Sequence, residues 1–295
     1  MTSSFLRIAR QGKNGWLRYI ASLLLIFTLA IIAVAPIIIG FMLTSGTSLE
    51  DLDSQQLITD LIGGNPLMGY GFIGFTAIVL TAALYLAVTR IHERPFLTLI
   101  SPDTAIHWQR TLKGFGLWLG LWIFSFALRY VISPGSYHFS FNASEWLPFA
   151  LLALLFIPVV STVHVLFIYG YLFQGIGLII GNPVILSIVA VVILVGLPPG
   201  LANPGWMIIN MLYAIGLFWV VIRDNRAELV MGITLAHQLI NLLLVSFPHV
   251  DVTLPSVTLF TVDRLPPVWW AFLSLSIRAG IFYLVLLRSS PRPLT

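Results

Sequence analysis

Long apolar stretches separated by short polar segments dominate the pattern along this chain of 295 residues. Most of the stretches reach the roughly 20 residues that a helix needs to cross a bilayer. None shows the alternation of polar and apolar positions that is typical of a membrane β-strand. The pattern therefore predicts eight transmembrane helices, at about residues 16–43, 68–89, 114–132, 146–180, 184–197, 206–222, 227–247 and 268–287.

The fourth stretch is too long for one ordinary span. We expect Pro158 to divide it into a first segment and a main helix that together cross the membrane once, because proline interrupts helical hydrogen bonding. Asn142 and Ser144 are candidate N-caps at its start. Pro134 and Gly135 are expected to end the helix before it.

Composition supports a polytopic helical bundle, all-α in class. Hydrophobic residues make up 58% of the chain and charged residues 9%, whereas a soluble domain has about 25% charged residues. The chain has no cysteine, which excludes disulfides and thiolate metal sites. We interpret residues 1–295 as one membrane domain surrounded by the lipid bilayer, and we expect no nucleic-acid partner because the net charge of +4 is better explained by membrane topology.

The basic residues indicate the orientation. With eight crossings and a cytoplasmic N-terminus, 12 of the 15 lysines and arginines fall in cytoplasmic segments, and the other three are Arg129, Arg264 and Arg278. Positive residues favour the cytoplasmic side of a membrane protein. The sequence therefore predicts an integral membrane protein with both termini in the cytoplasm, and we expect the membrane to be the bacterial cytoplasmic membrane.

Acidic residues are confined to loops and helix ends, so no carboxylate is expected at mid-membrane depth. A metalloprotease normally activates a metal-bound water with such a base. The polar residues within the apolar stretches are few. His164 and Tyr169 lie in the fourth stretch, and His237 and Asn241 lie on one face of the seventh because they are four residues apart.

The segment Gly170–Ile179, GYLFQGIGLI, resembles the end of the first motif of the CPBP family of intramembrane metalloproteases, the Abi-type group of CAAX proteases and bacteriocin-processing enzymes. The family motif reads roughly EELLFRGYLLQGLG. Its two glutamates fall on His164 and Val165 of this chain, and its arginine falls on Tyr169.

Two further motifs extend the resemblance over a core of about residues 90–247. The second family motif, roughly FxxxHLANP, is similar to the segment from Gly196 to Pro204, in which LANP is kept and Gly200 stands at the position of a metal-ligand histidine. The third motif, HxxxN, is matched by His237 and Asn241.

The resemblance implies a bundle in which the motif helices converge on one polar cavity, lined by His164, Tyr169, Asn203, His237 and Asn241. The degenerate positions His164, Val165, Tyr169 and Gly200 lack most of the catalytic groups of the family. We expect no cofactor, because His164, His237 and Asn241 would be a small set of metal ligands with no carboxylate base beside them. Zinc at His237 and Asn241 is the alternative.

The chain is therefore interpreted as a catalytically inactive CPBP-like membrane protein that binds a membrane protein, a peptide or a lipid. An active intramembrane metalloendopeptidase with a rearranged site is the alternative, since a neutral His164 could serve as a base. A small-solute carrier is a third class, although the sequence contains no inverted repeat. Arg278, in the middle of the last helix, either faces the bundle or extends along it to the membrane surface.

Overall fold

A computed structural model describes residues 4–45, 66–194, 204–246, 257–262 and 266–287. A helical turn at Ser4–Arg7 and a 3-10 turn at Ile8–Gln11 come first. The described residues then form eight helices, named in chain order: α1 Trp16–Ser45, α2 Pro66–Leu86, α3 Trp108–Ile132, α4 Ala143–Val165, α5 Pro183–Leu194, α6 Pro204–Asp224, α7 Glu228–Leu243 and α8 Val268–Phe282.

Six of these helices are long and apolar enough to cross a bilayer. They are α1, α2, α3, α4, α6 and α8, and α5 and α7 are shorter apolar helices. The expected all-α, multi-pass membrane character is therefore confirmed in its coarse outline. Large apolar side chains on the outside of the bundle agree with this, as on α1, where Ile31 is 67% exposed.

The fourth helix differs from its prediction. Pro158 lies inside an uninterrupted α4, so the expected division at this residue is wrong. The helix continues through a π-helical segment, Leu166–Leu172, and a final α-helical turn, Phe173–Gly177. Proline within a membrane helix is tolerated because neighbouring groups satisfy the freed backbone. Asn142 does cap the helix, with its side chain accepting from the Ser144 amide at 3.2 Å.

Other boundaries also moved. α3 begins at Trp108 rather than at Gly114. α7 ends at Leu243 rather than at Phe247, because Val245–Ser246 forms a strand, β2. The predicted end of α3 before Pro134 is confirmed, since the helix ends at Ile132.

A small three-stranded sheet was not predicted. β1, Tyr137–Phe139, pairs antiparallel with β3, Phe260–Val262, and β3 pairs parallel with β2. The strands have only two or three residues, which is too short for a periodic sequence signal. The sheet joins the loop after α3 to the segment that precedes α8.

α7 is the helix around which the others pack. Every residue from Ala227 to Thr234 is buried. Its contact with α3 is made through backbone, since a Cβ on Gly114 would lie 2.6 Å from the Leu229 carbonyl oxygen and one on Gly232 would lie 2.6 Å from the Phe115 nitrogen. Small residues permit this close approach of two membrane helices. The crossing fixes the position of the cavity residues farther along both helices.

Three polar segments meet at one end of the bundle. The Lys13 amide donates to the His92 carbonyl at 2.8 Å, and the Ala227 amide donates to the Ile100 carbonyl at 2.9 Å. The Ser4 hydroxyl donates to the Asn225 side chain at 3.1 Å. The N-terminal segment, the loop after α2 and the turn between α6 and α7 are therefore held together, at the end opposite to the small sheet.

Candidate functional site

A cavity of about 190 Å³ lies between α3, α6, α7 and α8. Two arginines from two different helices face it, Arg129 of α3 and Arg278 of α8. Aromatic rings make up much of the remaining wall, including Trp118, Trp122, Trp206, Tyr213 and Trp270. No carboxylate is among the lining residues in the described part of the chain.

The third-motif pair lies in this cavity. The Asn241 side-chain nitrogen is 3.3 Å from His237 Nε2, as the one-turn spacing on α7 allows. The His237 ring lies against Tyr213 of α6, with centroids 4.8 Å apart. Its other nitrogen, Nδ1, is buried and has no hydrogen-bond partner among the described residues.

The first-motif residues lie outside the cavity lining. His164 is exposed and its ring centroid is 6.3 Å from that of Tyr169. Tyr169 is buried in the π-helical segment and packs on Phe218 of α6, with centroids 4.6 Å apart. Val165 is fully buried in the core.

The structure thus brings His237 and Asn241 together in the cavity. It places Tyr169 beside α6 and His164 near Tyr169. Gly200 and Asn203 lie outside the described residues. One shared pocket for the predicted set of His164, Tyr169, Asn203, His237 and Asn241 stays a prediction.

Arg278 faces the bundle, as one of the two sequence interpretations expected. Its Cζ lies 5.3 Å from the centre of the Trp118 ring and 5.9 Å from that of Trp122. Its Nε donates to the Ser274 carbonyl at 3.2 Å. The Arg129 Cζ lies 5.6 Å from the centre of the Trp270 ring. Tryptophan faces hold both guanidinium groups through cation–π contacts.

The sequence does contain a signal for this second set of residues. Trp118, Trp122, Ser125 and Arg129 follow the spacing i, i+4, i+7 and i+11, which places them on one face of α3. Trp270, Ser274 and Arg278 follow the spacing i, i+4 and i+8 on α8, and all seven residues line the cavity.

This donor set does not fit the zinc ion that the resemblance implies. Zinc sites usually have at least three protein ligands. Among the described residues that line the cavity, His237 is the only His, Cys, Asp or Glu, and it contacts Asn241. The positive guanidinium of Arg278 lines the same cavity and opposes a bound cation. Within the described ranges, no group of three or more His, Cys, Asp or Glu side chains is arranged to hold a metal. We therefore derive no catalytic step through a metal.

A second charged cluster lies at the opposite end of α7. Arg226 forms ion pairs with Asp103 and with Glu228, the latter at 3.4 Å, and Arg110 forms one with Asp224. The hydrogen bond from Arg226 holds the pKa of the Asp103 carboxyl well below its usual value. These pairs tie the loop after α2 to the turn between α6 and α7.

The glutamine of the first motif has a structural role at this end. Gln174 accepts a hydrogen bond from Arg94 at 2.9 Å and donates to the Thr98 carbonyl at 2.9 Å. Arg94 is 3% exposed, and its burial lowers the pKa of the guanidinium. Burial likewise lowers the pKa of His92, whose Nε2 is 3.0 Å from the Tyr171 hydroxyl. Gln174 and Tyr171 therefore hold the loop after α2 in place.

Comparison with known proteins gives one similarity over nearly the whole chain. The sequence is 29% identical over 300 residues to the uncharacterized protein YyaK of Bacillus subtilis, covering 95% of each chain. No family model matches the sequence. No solved structure matches it either. The name of the relative gives no activity that could extend to this chain.

Proposed function

We propose that this protein is a CPBP-like membrane protein without peptidase chemistry, which binds a membrane protein, a peptide or a lipid in the cavity between α3, α6, α7 and α8. The observation that carries the proposal is the combination of residues in that cavity. His237 and Asn241, which match the third family motif, share it with two arginines, and no carboxylate lines it among the described residues. Such a wall is suited to binding a ligand and has no carboxylate base for hydrolysis among its described residues.

The positions of the first motif support the same proposal. The resemblance assigns glutamates to the positions of His164 and Val165, and an isopropyl group at Val165 cannot accept a proton. Tyr169, at the arginine position, is buried against Phe218. Loss of a general base typically lowers a rate by roughly 10²–10⁴-fold. In this proposal the chain keeps the helix arrangement of the family and lacks its peptidase activity.

We further propose eight crossings with both termini in the cytoplasm, in the bacterial cytoplasmic membrane. Contacts support this topology because they sort the loops by side. The N-terminal segment, the loop containing His92 and the turn at Asn225 meet at one end, and all three are predicted cytoplasmic. The loop after α3 pairs with β3 at the other end. Reporter fusions at Asp103 and Asn225 should report inside and a fusion at Ser136 outside, and any inverted reporter contradicts the topology.

The test of inactivity uses zinc content and peptide cleavage. The purified natural protein should contain no stoichiometric zinc and should cleave no peptide in a chelator-sensitive manner. A variant that restores the family residues, His164→Glu, Val165→Glu, Tyr169→Arg and Gly200→His, should gain zinc binding if it stays folded, and His237→Ala in that background is its matched control. Chelator-sensitive cleavage by the natural protein that His164→Ala abolishes would overturn the proposal in favour of an active metallopeptidase.

A further inference from the structure

We propose that the cavity binds the phosphate group of an anionic amphiphile between Arg129 and Arg278, with the rest of the ligand against the tryptophan rings. The inference rests on the proposed function, because it names the class of ligand for the same cavity. It would assign the two arginines a role that neither the motif resemblance nor the topology rule gives them.

The cavity contains two arginines and no carboxylate among its described lining residues. Neither Arg129 nor Arg278 forms an ion pair in the described part of the chain, and no acidic residue lines the wall beside them. A charged side chain within a membrane helix is costly and normally has a partner or lines a polar pathway. Arg129 also forms a hydrogen bond with the Tyr137 side chain. Two guanidinium groups that face one cavity with no carboxylate among its described lining residues therefore favour a negatively charged ligand.

Most of the unpartnered hydrogen-bonding groups of the cavity are donors. Buried atoms without a partner among the described residues include Arg129 Nε, Trp118 Nε1, the Tyr213 hydroxyl and His237 Nδ1. The first two can only donate and the hydroxyl can donate. Buried polar groups left unpaired cost free energy, and an anion with several acceptor oxygens would satisfy them together.

Tryptophan rings contact both arginines. Trp118 and Trp122 lie against the Arg278 guanidinium, and Trp270 lies against that of Arg129. A tryptophan ring offers no conventional hydrogen-bond acceptor, so these contacts leave the N–H donors of a guanidinium available to other groups. Arg278 uses its Nε for the Ser274 carbonyl, and its terminal nitrogens have no partner among the described residues. This geometry suits a phosphate, which guanidinium groups bind through paired hydrogen bonds.

The volume of the cavity limits the ligand. The cavity volume is about 190 Å³, below the roughly 300–1,000 Å³ of pockets that enclose a drug-sized ligand. It suits a headgroup and does not suit a folded peptide segment. The apolar rings around the arginines favour an amphiphile over a fully hydrated ion.

The experiment measures ligand binding by the full-length protein in neutral detergent with native mass spectrometry. The probes are a short-chain phosphatidylglycerol, a short-chain phosphatidylcholine and inorganic phosphate. We expect a one-to-one complex with phosphatidylglycerol, weaker binding of phosphatidylcholine, and no displacement of the lipid by an equal concentration of inorganic phosphate. Displacement by phosphate would instead identify the free ion as the ligand and overturn the amphiphile.

Matched substitutions assign the binding to the arginines. Arg278→Gln and Arg129→Gln should each weaken the lipid complex by about 10- to 100-fold, the value of a charge-assisted hydrogen bond, whereas Arg278→Lys should retain much of the binding. Arg90→Gln is the control, because Arg90 is exposed and outside the cavity. Equal lipid binding by the two cavity variants and the Arg90 variant would overturn the inference, and so would the absence of phosphatidylglycerol binding by the natural protein, which needs no variant to fold.

This result is separable from the proposed function. If the protein shows no preference for the anionic lipid and no metal-dependent cleavage, the phosphate inference is overturned while the proposed binding function stands. Metal-dependent cleavage that requires His164 would overturn the proposed function whether or not the lipid binds.

Discussion

Arginines occupy two regions of this protein, at opposite ends of α7, and their surroundings differ. At the end formed by the polar loops, Arg226 contacts Asp103 and Glu228, and Arg110 contacts Asp224. Each of these two guanidinium groups has a carboxylate partner on another element or at a helix end. These ion pairs hold the loop after α2 against the start of α7.

In the cavity, the guanidinium groups lie on rings. Arg278 lies over Trp118 and Trp122, and Arg129 lies over Trp270. A ring balances part of the charge and accepts no conventional hydrogen bond from the edge of the guanidinium. In our proposal the first group of arginines serves mainly the fold, whereas the second binds a ligand.

The largest effect is expected for a substitution at the crossing of α3 and α7, since α7 joins the two regions. Gly232→Val places a branched side chain against the α3 backbone, since even a Cβ would lie 2.6 Å from the Phe115 nitrogen. We expect destabilisation of about 3 kcal/mol or more, measured as loss of monodisperse protein and of its thermal transition in detergent. Gly120→Val on α3 is the matched control, because a Cβ at Gly120 meets no atom within 4 Å. Equal stability of the two variants would contradict the close crossing.

A smaller effect is expected in the paired region. Asp224→Asn removes the carboxylate that Arg110 contacts, and the Asp224 side chain is 1% exposed. We expect a loss of about 1–3 kcal/mol, the cost of leaving a buried charged hydrogen bond incomplete. Thermal unfolding of Asp224→Asn, Arg110→Gln and the double variant gives the coupling. Additive losses in the double variant would show that the pair contributes nothing as a pair.

The cavity arginine should behave in the opposite way. Arg278→Gln removes contacts with two tryptophans, and a cation–π contact contributes about 0.5–1 kcal/mol where solvent reaches it. We expect a change in stability of at most about 1 kcal/mol, accompanied by the loss of lipid binding described above. Arg110→Gln should show the reverse, a larger loss of stability with lipid binding intact. A larger loss of stability at Arg278 than at Arg110 would remove the distinction between the two regions.

Acid should act on the paired region with the smallest effect. The folded-state pKa of Asp103 is held below its usual value by Arg226. Its contribution to stability is therefore present above the unfolded pKa, about 3.9, and is lost as the pH falls below that value. The Asp103 side chain is 42% exposed, so the contribution should be below about 1 kcal/mol.

Comparison of acid unfolding between the natural protein and Asp103→Asn measures that contribution. The two proteins should differ most near neutral pH and converge in acid. A constant difference across this range would show that the substitution acts through packing and not through the charge of the carboxylate.

Sequence reasoning recovered the helices because their signal is long and strongly apolar. It failed where several weak preferences compete. Pro158 is a strong interruption signal in water, yet α4 runs through it because a membrane helix keeps its backbone bonds where it can. The strand that ends α7 after Leu243 is set by pairing with β3, which is distant in sequence and invisible to periodicity.

For a similar reason, sequence reasoning indicates only part of the lining of the cavity. His237 and Asn241 are found from a motif that occupies one turn of one helix. The pairing of Arg278 with tryptophans of α3 depends on how two helices pack, and single-helix spacing can only suggest which residues face inward. The pairing of Arg226 with Asp103 likewise becomes evident only when the loop containing Asp103 folds back on α7.

The most direct measurement is a structure of the natural protein in phosphatidylglycerol nanodiscs by electron cryo-microscopy. The central claim is that the cavity is a binding site whose arginines, and not a metal, contact the ligand. We predict headgroup density within hydrogen-bonding distance of both Arg129 and Arg278, with His237 and Asn241 contacting each other. A metal ion coordinated by His237 and Asn241, with the two arginines turned away from the cavity, would contradict the claim.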